Sequence, residues 1–208
     1  MLTGFSIALF YADETAGTWS LRDLAAHRGV IAPEHVGSDG FTDAAGMLAF
    51  YHDRFHCFLQ VGAGDDVLSY VHFLLESLVS LSRAQLPAAA EKLRPEASFM
   101  GHDQVVASLF QSDQTLVLVQ DAGDDLTLAY LNPAGEAPEY RLSPYFQHIS
   151  VAKAAWRAAA IEALDEYFQV ANEQAALGKQ RPTRLAGVID LWNQARPALI
   201  AEEEAPAD

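Results

Sequence analysis

Residues 115–131 read Thr-Leu-Val-Leu-Val-Gln-Asp-Ala-Gly-Asp-Asp-Leu-Thr-Leu-Ala-Tyr-Leu, two β-rich runs, Thr115–Gln120 and Leu126–Leu131, joined by Asp121-Ala122-Gly123-Asp124-Asp125. Glycine tolerates the positive φ of a tight reversal, and Asp side chains hydrogen-bond their own turn backbone, so this composition predicts a hairpin. Asn132-Pro133 ends the second run, because proline has no N–H to give to a ladder. After a Pro- and Gly-containing loop, Tyr140–Leu142 reads as a further strand. An antiparallel meander is therefore expected at the middle of the chain.

Toward the N-terminus, Phe5, Ile7, Leu9 and Tyr11 alternate with Ser6, Ala8 and Phe10, the two-residue period of a strand. Asp13–Gly46 is rich in Gly, Pro, Asp and Thr and reads mostly as loop, with a brief helix over Leu21–His27. Met47–Val61 is apolar throughout; Leu48, Tyr51 and Phe55 fit a helix, whereas Phe58–Val61 fits a strand. From Asp66 to about Leu86, Val67, Val71, Leu74, Leu75, Leu78 and Leu81 recur at three and four, opposite a stripe of Ser69, His72, Glu76, Ser80 and Arg83. This predicts an amphipathic helix capped by Asp65 or Asp66 and stopped before Pro87, with a short helix following through Arg94.

Toward the C-terminus, Ser150 stands where an N-cap belongs. Trp156, Ala160, Leu164, Tyr167 and Ala171 then mark one apolar stripe, widened by Ile161 and Phe168, and Gly178 supplies a stop. Leu185, Val188, Ile189 and Trp192 predict a last helix over Arg184–Arg196, after which Glu202–Asp208 is acidic and expected to fray. The sum is an α+β fold, an antiparallel meander sheet with amphipathic helices on one face. It is read as one domain over residues 1–200 with an acidic tail at 201–208.

Length and composition bound the function. The 208 residues are 50% hydrophobic and 20% charged, a balance that builds a core and excludes a disordered chain. The 13 cations against 28 acids leave −15, a field that repels nucleic acid and anionic membrane surfaces, and no basic patch offsets it. Apolar runs are broken well short of the roughly 18 residues that a bilayer-spanning helix needs. Arg supplies most of the cations and Ala is abundant, as GC-rich bacterial coding sequence produces. Cys57 is a lone cysteine, and Met1–Ala12 has no Lys or Arg to open a secretory signal, so a cytoplasmic protein is expected.

The chemical motifs are few. Gly62-Ala63-Gly64 before a helix is arranged like a dinucleotide-binding turn, but Val67 stands at the third glycine, and Asp65 and Asp66 place negative charge where the pyrophosphate would lie. His52 and His56 lie four apart with Asp53 beside them, a spacing that on a helix would share a face and serve a metal, with His102 a distant candidate. The order His27, His52-Asp53, His102-Asp103 is similar to the His…His-Asp…Asp order of HD phosphohydrolases. That family is all-helical, and the hairpin at residues 115–131 argues against membership. Cys57 between His56 and Phe58 reads as a small core residue, and His72 with Glu76 as a surface pair. No nucleophile elbow, P-loop or zinc-protease motif occurs. Neither a cofactor nor a stoichiometric metal is expected.

Acid is the remaining signal. Glu162, Asp165, Glu166 and Glu173 fall on the polar side of the long helix with Gln169, and Glu162 and Glu166, at i and i+4, repel each other. With Asp121, Asp124 and Asp125 on the hairpin turn they form a candidate surface for steering a basic protein partner. A non-enzymatic bacterial binding protein is expected, most concretely an immunity protein or inhibitor of a basic toxin. A metal-dependent hydrolase centred on His52, Asp53, His56 and His102 is the alternative, and a chaperone or adaptor a third reading. If Trp156 and Leu164 lie on a buried stripe, Leu164→Ala should cost about 2 to 5 kcal/mol by denaturant titration, and an unchanged midpoint would place this face outward.

Overall fold

The computed structural model describes residues 4–15, 18–23, 46–52, 56–61, 66–94, 104–110, 115–120, 123–131, 149–177 and 183–204. Among these residues, eight strands and four helices follow one another as β1 (Phe5–Thr15), β2 (Thr18–Asp23), β3 (Gly46–His52), β4 (His56–Val61), α1 (Val67–Leu81), α2 (Ala88–Glu91), β5 (Val105–Phe110), β6 (Thr115–Gln120), β7 (Asp125–Leu131), β8 (Ile149–Ala152), α3 (Lys153–Leu177) and α4 (Thr183–Glu204). The α+β class expected from the sequence is present, with two antiparallel sheets rather than one, ordered β2-β1-β3-β4 and β5-β6-β7-β8. The second is a meander; in the first, β3 returns to pair with β1 on the side away from β2.

The chain falls into two compact units, Met1–His72 with Ala159–Ile189 and Phe73–Ala158 with Asp190–Asp208, so that α1, α3 and α4 each contribute to both. In the first unit, β1 alternates as predicted and pairs Ile7 with Phe50 and Leu9 with Leu48. The rings of Phe5 and Phe50 stack at 6.3 Å. The apolar stretch at Met47–Val61 resolves as two strands, not a helix. Seven consecutive pairings with β1 decide it, a long-range ladder that local periodicity does not see. The brief helix expected over Leu21–His27 is replaced as far as Asp23 by β2, whose hairpin with β1 pairs Ala12 with Leu21; residues 24–45 lie outside the described set.

Gly46 opens β3 at a point of close approach. A Cβ there would collide with the Val67 side chain at the start of α1 and with the Phe10 carbonyl of β1, while the Tyr70 hydroxyl donates to the Gly46 carbonyl at 3.4 Å. Glycine is required by contact rather than by backbone angle.

In the second unit, the hairpin of residues 115–131 forms as predicted, Val117 opposite Ala129 and Leu118 opposite Leu128, with Gly123 at φ +115° in its turn. β6 is buried from Thr115 to Val119, on both faces. One face carries a cluster of Val117, Val119 and Ala129 with the half-buried Val105. Ser150 is not an N-cap: it is exposed within β8 and pairs with Thr127, and α3 begins at Lys153. Sheet pairing has taken the residue that a local hydrogen bond would have placed at the helix start. The strand expected at Tyr140–Leu142 lies outside the described residues.

The helices differ from expectation mainly in how much of them is covered. α1 is capped by Asp66, whose Oδ1 accepts from the Ser69 amide at 2.7 Å and the Ser69 hydroxyl at 2.6 Å. It has no exposed residue: its supposed outer stripe, Ser69, His72, Glu76 and Ser80, is half-buried, and Leu68, Tyr70, Phe73 and Val79 add apolar surface on its other sides. The α3 stripe is as predicted, with Trp156, Ala160, Leu164, Tyr167 and Ala171 fully buried. The Trp156 indole N–H donates to Ser77 Oγ at 2.9 Å and its ring meets Phe73 edge-on at 6.2 Å. α4 runs through Pro197 to Glu204, so the first residues of the predicted tail are helical. Among the described residues no helix is long and apolar enough to cross a membrane. Gly46→Ala should destabilise by about 1 to 3 kcal/mol, read as a lowered denaturant midpoint, because the strand must shift away from Val67.

Candidate functional site

The acidic positions are divided between the two units. Glu162 is exposed on α3, Asp165, Glu166 and Glu173 are half-buried, and Gln169 donates to Glu173 Oε1 at 3.1 Å. Asp165 and Glu166 are both engaged by other groups. These four acids belong to the first unit, whereas Asp124 and Asp125, exposed in the hairpin turn, belong to the second. Asp121 lies outside the described residues. What the helix does present is a run without a cation: from Ala158 to Leu177 it carries Glu162, Asp165, Glu166 and Glu173 and neither Lys nor Arg.

The histidine grouping changes character. His52 and His56 are Cα partners across the β3–β4 hairpin, not neighbours on a helix face, so the spacing argument for a shared metal does not apply. Asp53 and His102 lie outside the described residues. Cys57 pairs with Tyr51 in the same hairpin. Among the described residues no group of three or more His, Cys, Asp or Glu is placed to hold a metal ion.

His72 and Glu76 are half-buried and answer to different surroundings rather than to each other. Burial, with the Arg184 guanidinium, lowers the His72 imidazole against the opposing pull of Asp66. Burial pushes the Glu76 carboxyl up to about 7, although its Oε2 accepts a hydrogen bond from the Ser108 amide of β5 at 3.2 Å. At the start of α1, Asp66 also lies 3.9 Å from the largely exposed Arg184 of α4. The Tyr167 hydroxyl is raised, by burial first and by the Asp66 charge second.

The most fully bonded polar cluster lies at the C-terminal end of α1. Arg157, 6% exposed, donates to the Leu81 carbonyl at 3.5 Å, the Leu199 carbonyl at 3.1 Å and Glu202 Oε2 at 3.3 Å. Glu202 also accepts from the Ser82 hydroxyl at 2.6 Å and the Arg83 amide at 2.8 Å. Arg94 donates to the Ser80 and Ser82 carbonyls at 3.4 and 3.2 Å while paired with Glu91. Two guanidiniums thus meet the carbonyls that a helix leaves unpaired at its negative end. The sequence gives little sign of this. Arg157 is a lone cation among alanines, and its acid is far along the chain. The cluster is structural: Arg94 and Arg157 spend these hydrogen bonds on backbone carbonyls and carboxylates of the protein itself.

Comparisons with protein-family models, curated proteins and solved structures found no match.

Partial burial works to raise the Glu202 carboxyl, but the Ser82 hydroxyl, the Arg83 amide and Arg157 outweigh it and hold it below its ordinary value of 4.5. A carboxyl depressed in the folded state stabilises above its unfolded value and loses that contribution as pH falls through the folded one. Glu202→Gln should therefore cost about 1 to 2 kcal/mol near neutral pH, discounted for solvent exposure. Chemical denaturation across pH checks this: the gap between variant and parent should close as the pH drops below the ordinary carboxylate range.

Proposed function

We propose that this protein is a non-enzymatic binding protein of the bacterial cytoplasm that captures a basic protein partner, most concretely as an inhibitor or immunity protein that neutralises a basic toxin. The observation that carries the reading is the cation-free run of α3, with Glu162 exposed and Asp165, Glu166 and Glu173 beside it, in a chain of net charge −15. A negative surface of this kind speeds encounter with a positive partner and penalises acidic ones. Asp124 and Asp125 supply a second exposed acidic point in the other unit.

The partner is sought by pull-down at low ionic strength and its association rate followed by stopped flow. Exposed charges are screened beyond about 8 Å at physiological salt, so the on-rate should fall roughly tenfold from low to high salt. Replacing Glu162, Glu166 and Glu173 by Gln should slow association while leaving the denaturant midpoint within about 0.5 kcal/mol of the parent, because repulsion within the helix is relieved. An on-rate flat across salt and indifferent to the triple replacement would reject the acidic surface as the recognition element.

A further inference from the structure

β5 is the outer strand of the described β5-β6-β7-β8 sheet, and the Ser108 N–H on it donates to Glu76 Oε2 instead of to β6. In a strand the N–H and C=O of one residue point to the same side, so Ser108 turns both toward the open edge. Unpaired edge groups are a template for unwanted strand pairing, which proteins commonly block with Lys or Pro on the edge strand itself. Val105–Phe110 has neither. A carboxyl group reaching across from the buried helix α1 takes that place.

We propose that Glu76 is a proton-controlled latch on this sheet edge: ionised, it grips the Ser108 amide and keeps the edge of β5 closed; protonated, it loosens the amide and leaves the edge free to open. A hydrogen bond to an ionised acceptor is shorter and stronger than one to a neutral acid, which gives the two states different holds on the same atom. Because burial lifts this carboxyl to about 7, the latch changes state in the neutral range. Among the described residues, the surroundings leave the titration to Glu76. β5, β6 and β8 carry no ionisable side chain, and β7 carries Tyr130 and the exposed Asp125. On α1, His72 lies one turn earlier, and burial with the Arg184 guanidinium holds its imidazole below its ordinary value. α3 brings Lys153 and Arg157, the latter committed to Leu81, Leu199 and Glu202. α2 carries Glu91, paired with Arg94, and α4 carries the exposed Arg184 and Asp190, the half-buried Arg196 and the acids from Glu202 to Glu204.

The sign for the whole fold is opposite to that for the latch. The folded value lies above the ordinary 4.5, so the contribution of Glu76 to stability is fully present below about 4.5 and is lost as pH rises through about 7. Ionisation tightens the edge locally while weakening the fold globally.

Nuclear magnetic resonance on the full chain tests this through the Glu76 carboxyl carbon and the Ser108 amide, followed from about pH 5 to about pH 9. Both should titrate together with a midpoint near 7, the Ser108 proton moving downfield as the acid ionises. In Glu76→Gln the Ser108 shift should be flat, and its protection from exchange near pH 8 should drop roughly tenfold. The same variant should be more stable than the parent near pH 8 and equal to it near pH 5, a readout that loss of structure would reverse. A Glu76 carbon that titrates near its ordinary value overturns the proposal in the unaltered protein, whether or not the variant folds. A Ser108 shift that stays flat while Glu76 titrates, or that persists in the variant, overturns it as well.

Discussion

A helix without an exposed residue must settle most of its polar atoms within the protein, and α1 is such a helix. Its backbone ladder satisfies the middle of the segment, but the free amides at its start and the free carbonyls at its end need partners from elsewhere. Asp66 serves the amides from within the same turn. Arg94 and Arg157 serve the carbonyls at Ser80, Ser82 and Leu81. Along its length, Ser77 donates back to the Leu74 carbonyl at 2.7 Å and accepts from Trp156, and Glu76 takes the Ser108 amide. The exception on α1 is Ser80, whose buried hydroxyl has no hydrogen-bond partner.

These arrangements explain where charge is tolerated inside. Arg157 is nearly out of solvent, yet it meets two carbonyls and a carboxylate, so its desolvation is offset by charge-assisted bonds rather than by one ion pair. Glu76 has one weak donor and no cation, and its charge is correspondingly disfavoured. The contrast between two buried ionisable groups in one unit follows from the number of hydrogen bonds each receives.

What was readable in the sequence is what local chemistry decides. The turn residues of the hairpin at 115–131, the Asp66 cap and the apolar stripe of α3 each depend on neighbours within a few positions. β3 and β4 were ambiguous because Leu48, Tyr51 and Phe55 satisfy a helical period, and only pairing with β1 excludes it. The stripe of Ser69, His72, Glu76 and Ser80 read as solvent-facing because polar side chains at helical spacing usually are; here all four are half-buried. The exposure of Glu162, Asp124 and Asp125 could be anticipated from pattern. The Glu76–Ser108 and Arg157–Glu202 contacts could not, since their partners lie 32 and 45 residues apart and no periodicity links them.

The 45 residues between Arg157 and Glu202 also have a meaning in time. On a ribosome moving at about 5–20 residues per second, roughly 2 to 9 s pass between synthesis of the guanidinium and synthesis of its carboxylate. During that interval the end of α1 can have its backbone carbonyls met, but Arg157 has no acid to bury against, and hydrated solvent is the better place for it. The hydrogen bonds of Arg157 to Leu199 and Glu202 therefore have to wait until α4 has emerged.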